Sequence, residues 1–256
     1  MLHLANGDDA AVALRHAGLD TLVWADCLDQ GPVVGLPATP AFRSQRARFL
    51  SSAGLADQLP QLERWDEALL SPGELVCWFE TDLNCMLALA HHLAARPDAS
   101  VVISEAAPVS RLKPEEINAL LPHRRDDLTG LARRAWDALA NPFNILQLDA
   151  GALPPLAAAL RRLYEELPDT AGVSRTERQM LETNFDFAAC KEREQVPFLT
   201  DIFFEHLARP LRALDETQRQ ALLDGTLDWL TLAPERWIAG GRIAGPQSRR
   251  RTTNAP

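Results

Sequence analysis

Four short apolar runs, each followed by helical sequence, constrain this chain more than any other feature. They are LHLAN (2–6), DTLVWAD (20–26), ELVCWFE (74–80) and ASVVISE (99–105). Runs this continuously apolar suit strands buried on both faces, which is the condition inside a parallel sheet. Between them lie segments long enough to cross back over such a sheet. DDAAVALRHAG comes first, with Gly18 as its stop. AFRSQRARFLSSAG and LPQLERWDEALL fill a longer second crossover, and LNCMLALAHHLAAR the third. The alternation predicts an α/β, Rossmann-like parallel-sheet domain over residues 1–110.

After residue 110 the strand pattern stops. Pro114 stands where a helix begins, a position that suits its missing N–H. Leu128, Leu131, Ala135 and Leu139 keep helical spacing, as do Leu153, Leu156, Leu160 and Leu163. These make a helical connector over 111–170. Ser174 and Glu177 then form the S-x-x-E signature of a capping box, opening a helical region over 171–246. Its end, LDWLTL and RWIAGGRIAG, reads as two strand-like pieces closing a hairpin. Helices followed by a hairpin predict a winged-helix-like module, and RRRTTNAP, within 247–256, a basic mobile tail.

A formal net charge of −9 disfavours broad attraction to nucleic acid or anionic membrane. The helix expected to read DNA in a winged helix carries Asp201 and Glu205 beside His206 and Arg209, and its acids would meet phosphates. A packing or dimerisation role is therefore favoured. The DNA version would rest on Arg209, Arg212, Arg242 and the arginine tail. The four cysteines form no C-x-x-C pair, no secretory leader is visible, and no apolar run approaches a membrane span. The expectation is a cytoplasmic protein.

Ligands of open α/β sheets bind beyond the carboxyl ends of the strands. Those ends here are Asn6-Gly7-Asp8, Asp26, Glu80 with Asp82, and Glu105. Each also has a structural reading. Asp8, Asp9 and Asp82 can cap the helices that follow them, and Asp26 can fix a turn. Glu80 is a poor cap after a strongly apolar strand, and as a buried unpaired charge it would cost several kcal/mol. It therefore belongs in a cleft, on an arginine or on a ligand. Glu80 and Asp26 are the candidate acid/base residues; Asn6, Gly7, Asp8 and Asp82 are candidate ligand contacts. Arg43 and Arg46, near one helical turn apart, can grip a phosphate or carboxylate, or pair with these same acids. Arg124 and Arg125 can reach the site, or be neutralised by Asp126 and Asp127.

Three carboxylates around one crevice also permit a Mg²⁺-type site, but no ligand spacing specifies one. Cys77, Cys85, His91 and His92 match no standard zinc spacing, and the thiols read as small core residues. No phosphate-binding G-x-x-x-x-G-K-[ST] loop is present, nor G-x-S-x-G, H-E-x-x-H, or G-x-G-x-x-G after the first strand. Neither metal nor cofactor is specified.

HLANGDD, VWADCLDQGPV, RARFL, WFETDL, PHRRDDLTGLARRAWDAL, SRTERQML, PFLTD and RWIAGGRIAG follow one another over residues 3–245. In this series the chain resembles a bacterial family, domain of unknown function 1835 (DUF1835), with its associated C-terminal region. The resemblance implies an α/β domain followed by a helical, winged-helix-like region, and implies no reaction. The family's tail is expected to continue with aromatic residues, whereas this chain runs into PQSRRRTTNAP. Residues and resemblance together give a protein whose α/β domain binds a small polar or phosphorylated, nucleotide-like ligand at the carboxyl edge. The alternative is a regulatory protein with an α/β sensor and a winged-helix effector.

Overall fold

A computed structural model gives the fold, and it describes residues 1–33, 35–139, 142–196, 200–233, 235–238 and 242–244. Strands β1 (Leu2–Asn6), β2 (Thr21–Trp24), β3 (Leu75–Phe79) and β4 (Ser100–Ile103) form one parallel sheet in the order β2-β1-β3-β4. In register, Leu4 faces Leu22 on one side and Cys77 on the other, and Cys77 faces Val101. The α/β class is as the sequence predicts. Strands β2 and β4 stop two residues short of their predicted ends, so Asp26 and Glu105 stand in the loops beyond.

Alternation along the strands divides the core in two. Ala5, Val76, Trp78 and Val102 face a thin layer made by α1 (Asp8–His16) and α5 (Pro114–Leu120). Leu4, Cys77, Phe79 and Val101 face the main core. There α4 (Leu83–Ala95) lies against the sheet, under α6 (Thr129–Leu139) and α8 (Pro154–Tyr164). Helix α4 is buried almost all round because it sits between sheet and helices, and its sequence is correspondingly apolar. The segment read as a connector thus supplies an outer helical layer of the α/β core, with α7 (Pro142–Gln147) joining α6 and α8. The long second crossover folds as α2 (Pro40–Ser52) and α3 (Leu59–Leu69).

The C-terminal helices are α9 (Arg175–Glu182), α10 (Phe187–Glu192), α11 (Asp201–Arg212), α12 (Glu216–Leu223) and α13 (Trp229–Leu232). They enclose a second core around Met180, Phe204, Leu211, Leu222 and Trp229. The predicted capping box is present: Ser174 Oγ accepts from Glu177 N, and Glu177 Oε2 accepts from Ser174 N at 2.8 Å. LDWLTL is a helical turn rather than a strand, because Asp228 caps α13 and Trp229 fills the core while donating to Glu177 at 2.9 Å. The hairpin forms wholly within RWIAGGRIAG, as β5 (Arg236–Ile238) against β6 (Arg242–Ala244). The tail 247–256 and the first three residues of PFLTD lie outside the described residues.

A third cluster joins the two units. Phe203 of α11 stacks on Phe49 of α2 with ring centroids 5.7 Å apart and 16° between planes. Leu50, Leu62, Cys27 and Trp237 of the hairpin pack around the pair.

Candidate functional site

The sheet order places a crevice at the carboxyl ends of β1 and β3. From β1 the chain crosses over α1 to β2, and from β3 it crosses over α4 to β4 on the opposite side. Right-handed crossovers that leave in opposite directions put their helices on opposite faces, which opens the sheet's edge between them. A cleft of about 510 Å³ lies there, lined by Asn6, Gly7, Asp8, Asp9, Ala10, Ala25, Glu80 and Ser110. Gly7 makes the corner from β1 into α1 with φ +107°, a conformation that side-chain-bearing residues rarely adopt. Being the N-cap without a side chain, it leaves the first turn of α1 with no side-chain acceptor, and Asp8 and Asp9 stand exposed in that turn. Asn6 donates its amide nitrogen to Cys85 Sγ at 3.0 Å, while its Oδ1 is buried and has no partner among the described residues.

Glu80 sits just past β3 and builds the facing wall. Its Oε1 accepts the Val109 N–H at 2.8 Å. The chain after β4 is turned back by Ser104, whose N–H reaches Phe79 O at 2.9 Å and whose Oγ reaches Ala107 O at 2.6 Å. It then enters a single 3-10 turn, Val109–Arg111, whose Val109 is buried with Ala10 and Leu14. Ser110 consequently lines the cleft, and exposed Arg111 follows it. Burial pushes the Glu80 carboxyl above the usual carboxylate range; the Asp82 charge adds to this, while the Val109 N–H and Arg111 oppose it. Ser110 and Arg111 escape sequence reasoning because APVSR carries no strand or helix signal that brings it back to this edge.

Of the eight residues singled out as catalytic or ligand-binding, Asn6, Gly7, Asp8 and Glu80 meet in the cleft. The other four have structural partners. Asp26, a candidate acid/base residue, is buried in a two-bond ion pair with Arg46. Arg46, read as gripping an anion or pairing with one of these acids, takes the second course and donates also to the carbonyls of Cys27, Gln30 and Pro32, so all its N–H groups serve the loop after β2. Arg43 pairs with Asp66 of α3 at 2.5 Å. Asp82 is the N-cap of α4, accepting Cys85 N at 2.9 Å. Glu105 is exposed and lines no part of the cleft.

Arg124 and Arg125 lie away from the cleft. Arg124 pairs with Glu74, at the amino end of β3, and Arg125 pairs with Asp127. The backbone of Arg125 bonds both ways with Val101 on edge strand β4.

His91 and His92 are buried among Trp24, Phe42, Phe79 and Trp136. Burial holds both in the neutral form, with His92 lowered to about 3. Among the described residues, no three His, Cys, Asp or Glu side chains are grouped so as to hold a metal ion, and no helix is long and apolar enough to cross a membrane. Helix α11 is buried on two sides, by Phe203 toward α2 and by Phe204, Leu207 and Leu211 toward its own core. Its exposed positions include Asp201, Glu205, Arg209 and Arg212, and Glu205 pairs with Arg212.

No protein-family model, curated protein or solved structure matches this chain.

Proposed function

We propose that the cleft binds a small polar ligand of nucleotide-like chemistry, and that the N-terminal domain is Rossmann-like in use as well as in layout. The observation that carries this reading is the coincidence of a polar cleft with the point where the strand order reverses. The cleft's size falls within the range of small-molecule sites. Asp8, Asp9, Glu80 and the unpartnered Asn6 Oδ1 are acceptors, suited to hydroxyl and amine donors such as those of a nucleoside. Glu80, its carboxyl held up by burial, is the group suited to move a proton in any reaction there.

Calorimetric titration with nucleosides, nucleotides and ribose 5-phosphate tests this. Binding that is lost in Asn6→Leu supports the site. No heat from any of them at millimolar concentration would sink it.

The second reading, an α/β sensor coupled to a C-terminal effector, is favoured by the Phe49–Phe203 contact between the units. We infer that the C-terminal region, winged-helix-like, packs or binds protein rather than reading DNA, since α11 is covered and its exposed face mixes acids with arginines. A duplex DNA shift at low salt would overturn that part. The motif series supports placing the chain with the DUF1835 family.

A further inference from the structure

The two walls of the cleft differ in charge. The α1 wall carries Asp8 and Asp9 in the helix's first turn. At that terminus a phosphate would gain from free N–H groups and the helix dipole, but two carboxylates one and two residues past the cap oppose it. The opposite wall carries Ser110, which lines the cleft; Arg111 follows it in the same turn, exposed, close enough for its charge to act on the Glu80 carboxyl, and forming no salt bridge among the described residues. Glu80, which builds that wall, fixes it through its bond to Val109 N, and Val109 anchors the turn by burying its side chain against α1.

We propose that the phosphate-bearing end of the ligand lies on the Val109–Arg111 turn, held by Ser110 Oγ and the Arg111 guanidinium, while the hydroxyl-bearing end faces Asn6 and Asp8. This rests on the cleft reading above and adds a direction to it. Glu80 is then a positioning residue for the phosphate, acting through Val109. An arginine beside a hydroxyl can supply two or more charge-assisted donors to one phosphate. Arg111 is exposed, so replacing it leaves both cores intact.

Ribose 5-phosphate and ribose, titrated separately into the full chain, test the assignment. The phosphorylated sugar binds more tightly, and Arg111→Ala reduces its affinity by roughly tenfold or more while leaving ribose within about twofold. Ser110→Ala gives a smaller loss of the same kind. Glu80→Gln keeps an oxygen for Val109 N and retains the preference for phosphate; Glu80→Ala loses part of it, with faster hydrogen exchange at Val109. If both sugars bind, Arg111→Ala changes nothing and Asp8→Asn/Asp9→Asn tightens the phosphate about tenfold, the phosphate sits on α1 and this inference falls while the cleft reading stands. If neither sugar binds and no nucleoside does, both fall together.

Discussion

Arg46 and Asp26 meet through two hydrogen bonds, Nε to Oδ2 at 2.9 Å and Nη2 to Oδ1 at 2.6 Å, with 0% and 2% of their side chains exposed. Three carbonyls of residues 27–32 complete the guanidinium's partners, so α2 grips the loop after β2 by its own side chain. Gly31 fits beneath Phe49 in this loop because a Cβ there would collide with the ring. The pair secures the wall that begins at Ala25 and presents no free group to a ligand.

Removing one partner strands the other as a buried charge. Arg46→Ala and Asp26→Ala each lower stability by about 3 to 5 kcal/mol, read from urea midpoints at constant m. Replacing both together, as Arg46→Met with Asp26→Leu, costs less than the sum of the two single changes, because no charge is left unpaired. A double variant that shows simple additivity would contradict the coupling.

Stability falls on mild acidification. His92 is buried neutral with its pKa lowered to about 3 from 6.5, and His91 is lowered in the same sense, both chiefly by burial. Between those two values the unfolded chain takes up a proton that the folded chain refuses. The stabilisation is therefore complete above about pH 6.5 and is lost as pH falls toward about 3, at roughly 1.4 kcal/mol per pH unit per histidine. Urea unfolding at pH 7, 6 and 5 measures the slope, and His92→Phe lowers it by one histidine's share.

Sheet and helices were legible in the sequence because buried parallel strands are continuously apolar and amphipathic helices keep their period. LDWLTL misled because a short apolar run bounded by turn residues fits strand and helix alike; Asp228 as a cap and Trp229 as core decide it. At the site, strand-end logic found Asn6, Gly7, Asp8 and Glu80, which one edge brings together. The same logic gave Asp26 and Asp82, and Arg43 and Arg46 entered as the nearest cations; the cap at Asp82 and the pairing of Arg46 with Asp26 stood among the sequence's own alternatives, whereas Asp66 as the partner of Arg43 did not. The partners, α2 to loop and α3 to α2, are tertiary contacts across sequence separations of 20 and 23. Ser110 was missed for the converse reason, since Glu80 recruits it from a segment without periodicity.

Glu80 gives a sign that separates burial from pairing. Its folded pKa is raised, chiefly by burial, so the group favours the folded state at low pH and that contribution disappears as pH rises through the folded value. Glu80→Gln removes the ionised form while keeping an acceptor for Val109. The variant is therefore more stable than the parent at pH 7, and the difference shrinks toward pH 4. Glu80→Ala instead loses the bond as well, costing about 1 kcal/mol. A Glu80→Gln protein less stable than the parent at pH 7 would mean that the carboxylate is paired in its ionised form.

Phe203 tests how far the two units unfold together. Each has its own core, and the cluster that joins them is small and centred on the parallel stack of Phe203 on Phe49. Phe203 is 2% exposed, so truncation opens a cavity and costs about 3 to 5 kcal/mol of the contact. That loss falls on the interface alone, since Phe204, Leu207 and Leu211 still fill the C-terminal core. Phe203→Ala therefore converts one calorimetric transition into two, with the C-terminal unit melting first because its core contains fewer buried side chains. Leu211→Ala, which faces that core instead, lowers the C-terminal transition without separating it by loss of the stack. A single unbroken transition in Phe203→Ala, merely shifted down, would show that other contacts of the Leu50, Leu62 and Trp237 cluster suffice to couple the units.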